Sequence, residues 1–297
     1  MASIQSVRES VIKVNKKYFG LAVILMIICI GIAAFFILKA GKEAWEYKVG
    51  DDFYEELQDE ATNDDSETDK TSKDAEDDEE GSGNSLGLDS SKEKSVGSTY
   101  ELDEIPRIDF KKLKKTCPDI VAWIYSPGTE INYPVVQGED NSYYLTHLAD
   151  GTENKNGCLF LEYENASDFS DDNTVIYGHN MASGKMLAEI LNYRSQEYFS
   201  EHPYMYLITE EATYRMEIFA GYTTDPASNA YVVTIGNREN YKTWLQQVAD
   251  KSDFKANMEL KTTDRFVTLS TCSYAYKNAR YVIHGRLVKV EEENANE

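Results

Sequence analysis

The sequence predicts a mostly β fold, a closed or nearly closed barrel with peripheral helices, preceded by one transmembrane helix and a disordered acidic linker. Three observations carry this reading. Seven short runs rich in Val, Ile, Phe and Tyr, punctuated by Gly, Asn and Asp, fill residues 131–290. Only two helical stretches stand among them, at 184–193 and 238–251. Residues 18–38 form a run of 21 without a charged side chain.

Taken in order, residues 1–17 carry Arg8, Lys13, Lys16 and Lys17 ahead of the apolar run, which keeps the N-terminus in the cytoplasm. A helix over 18–38 spans roughly 31 Å at about 1.5 Å per residue, the thickness of a bilayer core. The run is longer than the core of a secretory signal peptide, usually ~7–15 residues, and no small-x-small cleavage site follows. An uncleaved anchor is expected, with the remainder of the chain outside the cell.

The formal net charge of the 297 residues is −22. It is concentrated between Asp51 and Glu104, where 21 acidic and 4 basic side chains give −17 and leave −5 for the rest. A chain with no basic stripe is not a nucleic-acid binder. Residues 39–104 are therefore expected to form an extracellular acidic linker, a solvated stalk with too little apolar surface to offset its ordering entropy. The acidic run lacks the alternating ligand spacing of a calcium loop.

From residue 105 to 297 the composition is that of one globular domain. Residues 110–124 read as helix interrupted at Pro118, with Phe110, Leu113, Ile120 and Trp123 inward. The β runs are INYPVVQ, GCLFLEY, NTVIYGH, YMYLIT, TYRMEIFAGY, RFVTLSTC and ARYVIHGRLVKV.

Outside the anchor the chain has three cysteines, Cys117, Cys158 and Cys272, so at least one is a free thiol. Cys117 and Cys158 lie in helical and strand contexts that predict burial. Cys272 closes the run RFVTLSTC and stands at a strand end, and Arg280 opens the next strand. A hairpin of that length returns Arg280 to the same mouth of the sheet, where a fixed cation stabilises a thiolate or an oxyanion. Of four histidines, His179 follows the strand TVIY and a glycine, at a strand exit; His147, His202 and His284 read as structural or solvated. A thiol with a poised imidazole is the minimum equipment for covalent acyl transfer. No CxxC, HxxxH or HExxH spacing suggests a metal, and no cofactor is expected.

Residues 268–272 (TLSTC), 177–181 (YGHNM) and Arg280 together resemble the signature of a sortase, specifically class B. INYPVVQ, DNSYYL at 140–145, GCLFLE and the helix-bearing segment before RFVTLSTC are similar to that family as well. The resemblance implies an eight-stranded barrel and a cysteine transpeptidase. It implies that Cys272 attacks the threonine carbonyl of a C-terminal sorting signal on a secreted protein. His179 then protonates the leaving amine and Arg280 steadies substrate and oxyanion. The thioacyl enzyme passes to an amine of a peptidoglycan precursor. Ser270 matches a family position near bound substrate; Thr271, Asn180 and Tyr231 are further substrate-side candidates. The rival readings are a pilin-polymerising sortase, a secreted cysteine protease and a stalked binding domain without catalysis.

Overall fold

The computed structural model describes residues 2–62 and 105–290. Eight strands form from short runs rich in β-branched and aromatic residues. They are β1 (Ile120–Tyr125), β2 (Asn132–Val136), β3 (Leu159–Leu161), β4 (Asn173–Tyr177), β5 (Tyr204–Ile208), β6 (Thr213–Thr224), β7 (Phe266–Cys272) and β8 (Arg280–Lys289). They close in the order β1-β2-β3-β4-β7-β8-β6-β5, with β5 pairing back onto β1. The β2–β3 and β4–β7 pairs are parallel and the others antiparallel.

Period-two alternation divides the strands' side chains between two cores. Val267, Leu269, Ile283, Ile176 and Leu207 belong to the main cluster, while Phe266, Val282, Phe219 and Tyr222 belong to a second cluster on the outer face. Helix α4 (Arg238–Lys251) covers that outer face with Tyr241, Trp244, Leu245 and Val248, a helical i, i+3, i+4, i+7 stripe. Asn237 caps it, its side chain accepting from the backbone N–H groups of Glu239 and Asn240.

Three elements differ from the sequence reading. Residues 110–124 are not one interrupted helix: α2 (Phe110–Thr116) ends before Pro118, and IVAWIY becomes β1. Proline disfavours helix in the residue before it, and β-branched and aromatic residues after it favour the pleated surface. The helical stretch expected at 184–193 is a 3-10 segment at Ala188–Arg194, followed by the short α3 (Gln196–Glu201).

The largest difference lies N-terminally. Helix α1 runs without a break from Ala2 to Thr62, so residues 39–62, expected as linker, are helical. Glu, Ala and Lys supply 11 of those 24 residues, proline is absent, and Lys48 pairs with Asp52 one turn on. Gly50, Tyr54, Leu57 and Ala61 are buried at helical spacing against the barrel domain. The Ala61 carbonyl accepts from the Asp109 N–H at 3.1 Å, so the chain on either side of residues 63–104 is joined directly. Those 42 residues, the greater part of the expected acidic linker, lie outside the described residues. The apolar segment of α1 is the one helix among the described residues long and apolar enough to cross a membrane.

Docking of α1 on the barrel has a measurable consequence. Leu57→Ala removes a side chain only 2 % exposed and should destabilise the domain by about 2–4 kcal/mol. Denaturant midpoints of the full chain in detergent micelles test this; a helix that merely tethers the barrel would leave the midpoint unchanged.

Candidate active site

Three neighbouring strands, β4, β7 and β8, end together and bring the sequence-predicted residues to one rim. In β7, Phe266 belongs to the outer cluster and Val267 and Leu269 to the main one, so alternation sends Ser270 and Cys272 outward. Arg280 stands opposite Cys272 in the β7–β8 pairing. On the other side Tyr177 stands opposite Ser270 in the parallel β4–β7 pairing. The chain beyond Tyr177 stays alongside β7. The Gly178 N–H donates to the Ser270 carbonyl at 3.1 Å, and the Thr271 hydroxyl donates to the Gly178 carbonyl at 2.8 Å. The Asn180 side-chain amide donates to the Cys272 carbonyl at 2.9 Å. His179 thus leaves the sheet beside Cys272, with Arg280 on the far side of the thiol.

The imidazole of His179 is oriented by a backbone group. Its Nε2 lies 2.7 Å from the Leu145 carbonyl, which only accepts, so Nε2 carries the hydrogen and Nδ1 is the nitrogen left to exchange a proton. No carboxylate orients this histidine among the described residues. Arg280 donates from Nη1 to the carbonyls of Asn278 and Ala279 at 3.1 and 3.2 Å, and among the described residues no carboxylate pairs with it. Its charge is therefore not neutralised locally. Cys272 is half-buried, open to solvent on the outer face.

Tyr231 roofs this rim. It sits in a 3-10 turn (Asn229–Tyr231) that Asn173 of β4 ties down, its side-chain amide donating to the carbonyls of Ala230 and Val232. The Tyr231 hydroxyl lies 2.9 Å from the Ser270 hydroxyl, and its ring stacks on Tyr177 at 6.1 Å. Burial pushes the Tyr231 phenol above its ordinary value, while the Ser270 bond and the Arg280 cation pull it back. Ser270 is accordingly not a solvent-facing residue: it is 2 % exposed beneath Tyr231. Thr271 points the other way, buried and bonded to Gly178, so it ties β7 to β4 and does not open on the rim. Sequence reasoning missed Leu145, whose contribution is a carbonyl that every residue possesses.

The other candidates lie elsewhere. Cys117 and Cys158 are buried, and burial pushes both thiols up to about 12. His147 stacks on Tyr143, and His202 caps α3. His284 is fully enclosed. The Thr268 hydroxyl donates to the Asn173 side-chain carbonyl at 2.7 Å and so accepts from His284 Nδ1 at 2.8 Å, leaving Nε2 to accept from the Tyr222 hydroxyl at 3.2 Å. That arrangement is complete for a neutral imidazole. A cavity of about 530 Å³ opens away from the rim, between Tyr204, Glu217, Met258 and Arg286, where Glu217 is paired with both Arg215 and Arg286.

A closed eight-stranded barrel with thiol, imidazole and guanidinium on adjacent strand ends defines a class of cysteine acyl-transfer enzyme. The sequence profile of the sortase domain family matches residues 124–288, more than half of the chain, and the chain belongs to that family of cysteine transpeptidases. Within it the relatives are class B. Sortase B of Listeria monocytogenes is 35% identical over 184 residues, covering 61% of this chain and 75% of the relative. Sortase B of Clostridium perfringens superposes with a TM-score of 0.58 at 34% identity, covering 61% of this chain and 100% of that structure. A Staphylococcus aureus sortase B–substrate complex superposes with a TM-score of 0.59 at 29% identity, covering 61% and 85%.

His284 gives this subsection its prediction. Burial lowers its pKa from 6.5 to about 3, so the folded state holds it neutral while the unfolded chain takes up a proton. A depressed value contributes stability that is present above pH ~6.5 and is lost as pH falls toward 3, at up to about 1.4 kcal/mol per pH unit. The stability gap between the native chain and His284→Gln should therefore narrow between pH 7 and pH 4.5 in denaturant titrations. A gap that stays constant over that window would contradict the assignment.

Proposed function

We propose that the chain is a membrane-tethered class B sortase that joins secreted proteins to the cell wall. In this reading residues 18–38 anchor it, the N-terminus is cytoplasmic, and the barrel works at the outer face of the membrane. Its substrates are secreted proteins with a C-terminal sorting signal cleaved after Thr, and its acceptor is an amine of a peptidoglycan precursor. The observation that supports this is the convergence of Cys272, His179 and Arg280 on the ends of three adjacent strands.

The chemistry follows from that placement. Cys272 Sγ attacks the scissile threonine carbonyl as its proton passes to His179 Nδ1. The carbonyl oxygen gathers charge, and Arg280, which no carboxylate among the described residues neutralises, stabilises it. Collapse breaks the peptide C–N bond, and the leaving amine takes the proton from His179. The thioester remains on Cys272. An incoming amine attacks it, gives a proton back to His179, and expels the thiol as the new amide forms. Tyr231 over Ser270 closes one side of the groove in which the acyl chain lies. Asn180, by holding the Cys272 carbonyl, fixes where the nucleophile stands. Thr271 acts through β7 alone.

Intact-protein mass spectrometry of the full chain in micelles, with a library of sorting-signal peptides and with or without triglycine, tests the proposal. A thioacyl adduct on Cys272 that triglycine converts to a new amide is the expected result. Cys272→Ala should form no adduct, and Arg280→Lys should lose roughly 10–100-fold in kcat/KM, because a point charge does not reproduce the guanidinium's planar donors. Hydrolysis at a rate indifferent to triglycine would make the protein a protease instead.

A further inference from the structure

Helix α1 does more than hold the barrel at the membrane. Its docked part grips two separate stretches of chain, and both converge on His179. The first is the strap at 143–158. The Tyr54 hydroxyl, on a side chain 3 % exposed, donates to the Gly157 carbonyl at 2.6 Å. Gly157 adopts φ +60, and a Cβ there would lie 2.7 Å from the Tyr144 carbonyl, 2.9 Å from the Leu145 carbonyl and 3.1 Å from His179 Cδ2. Strap backbone and imidazole are therefore in direct contact, and the Leu145 carbonyl of the same strap takes the Nε2 hydrogen. Asn154 and Asn156 secure the strap to the helix, donating to the carbonyls of Glu46 and Tyr47 at 2.9 and 3.2 Å. Gly50 permits that approach, since a Cβ there would lie 2.5 Å from Asn156 Nδ2.

The second stretch is the loop after β4. Tyr54 packs edge-on against Tyr133 at 5.6 Å, and the Tyr133 hydroxyl accepts from the Met186 N–H at 3.3 Å. The adjacent Leu187 N–H donates to the His179 carbonyl at 3.0 Å. Lys185 reaches back to Glu55 at 3.1 Å. One side of the helix thus touches both what holds the ring of His179 and what holds its backbone. A simple tether requires neither a buried hydroxyl bonded to a strap carbonyl nor two buried asparagines donating to helix carbonyls.

We propose that the docked segment of α1, centred on Tyr54, is a positioning element for His179, so that the anchor helix completes the active site of the barrel. This rests on the reading of His179 as the proton carrier. Tyr54 touches no reacting atom; it acts through Gly157 and Leu145. With the Tyr54 hydroxyl removed, the strap loosens, the Leu145 carbonyl drifts from Nε2, and the ring samples the Nδ1–H tautomer, which has no basic nitrogen facing Cys272.

The test uses the full chain in micelles with Tyr54→Phe, which keeps the ring and removes one bond. Histidine 15N spectra report the tautomer, iodoacetamide alkylation of Cys272 followed by mass spectrometry reports thiol activation, and peptide-library transfer to triglycine reports turnover. Expected are an Nδ1–H population appearing at His179, alkylation slowed roughly 3–10-fold, and kcat reduced by a similar factor with KM changed less than about 2-fold. Asn154→Ala, which releases the strap from the other end, should act in the same direction. Val248→Ala, a core truncation on the far face, should lower stability without altering the His179 spectrum. A Tyr54→Phe spectrum identical to the native one, or a kcat loss no larger than the loss of folded protein, overturns the proposal. His179→Ala separates the two readings: if it still transfers, the assignment of His179 fails; if it is inactive while Tyr54→Phe is native-like, only the positioning role fails.

Discussion

The register of β4 against β7 is the constraint on which the site depends. Tyr177 opposite Ser270 places the exit of β4 beside the end of β7, and Cys272 opposite Arg280 fixes the third partner. Because side chains alternate with a period of two, a slip of one residue in β7 would turn Cys272 into the barrel and bring Thr271 out. The register is held from both sides: Val267 and Leu269 require the main core, and Phe266 requires the aromatic cluster under α4. The same cores that stabilise the barrel therefore place the Cys272 thiol, and the candidate site needs no separate framework.

The outer cluster also explains the histidines. A neutral, fully bonded His284 lies on the same outer face of the sheet as Cys272 but belongs to the packing beneath α4, its ring facing Trp244 and Tyr222. His179 has one ring nitrogen tied to a backbone carbonyl and the other without a partner among the described residues. Two imidazoles of one domain thus differ: His284 has both ring nitrogens satisfied by protein, and His179 has one nitrogen without a partner among the described residues.

Much of this was legible in the sequence, for identifiable reasons. Seven strands announced themselves through β-branched and aromatic runs between turn residues, and Cys272, His179 and Arg280 stood at strand ends where the pattern stops. β1 was hidden because Pro118 follows a good helical stretch and the apolar residues continue past it. The burial of Ser270 was not legible because β7 is buried on both faces near its end, which alternation alone does not reveal. Leu145 carries no signal at all, since a carbonyl's role depends on where the strap lies. The docked face of α1 was obscured differently. Gly50, Tyr54, Leu57 and Ala61 have helical spacing, but they are outnumbered by acidic residues on the exposed faces, so the average composition read as linker.

That last case alters the mechanical picture of the molecule. A flexible acidic stalk would let the barrel tumble relative to the bilayer, and the reaction would depend on a loosely defined local concentration. An unbroken helix does the opposite. Tyr54 lies 16 residues beyond Leu38, which at about 1.5 Å per residue puts the strap roughly 24 Å along the helix from the end of the apolar run. Lys155 meets Glu43 and Glu46 only a turn or two beyond that run. With the apolar run in a bilayer, as proposed, the barrel would be held close to the membrane surface, and the contacts that fix it to the helix are those that hold the strap against His179. Any load that tilts the helix relative to the barrel acts first on the Asn154, Asn156 and Tyr54 bonds, and through them on the imidazole. On the proposed reading, anchoring and catalysis share one set of hydrogen bonds: those that Tyr54, Asn154 and Asn156 make between α1 and the strap.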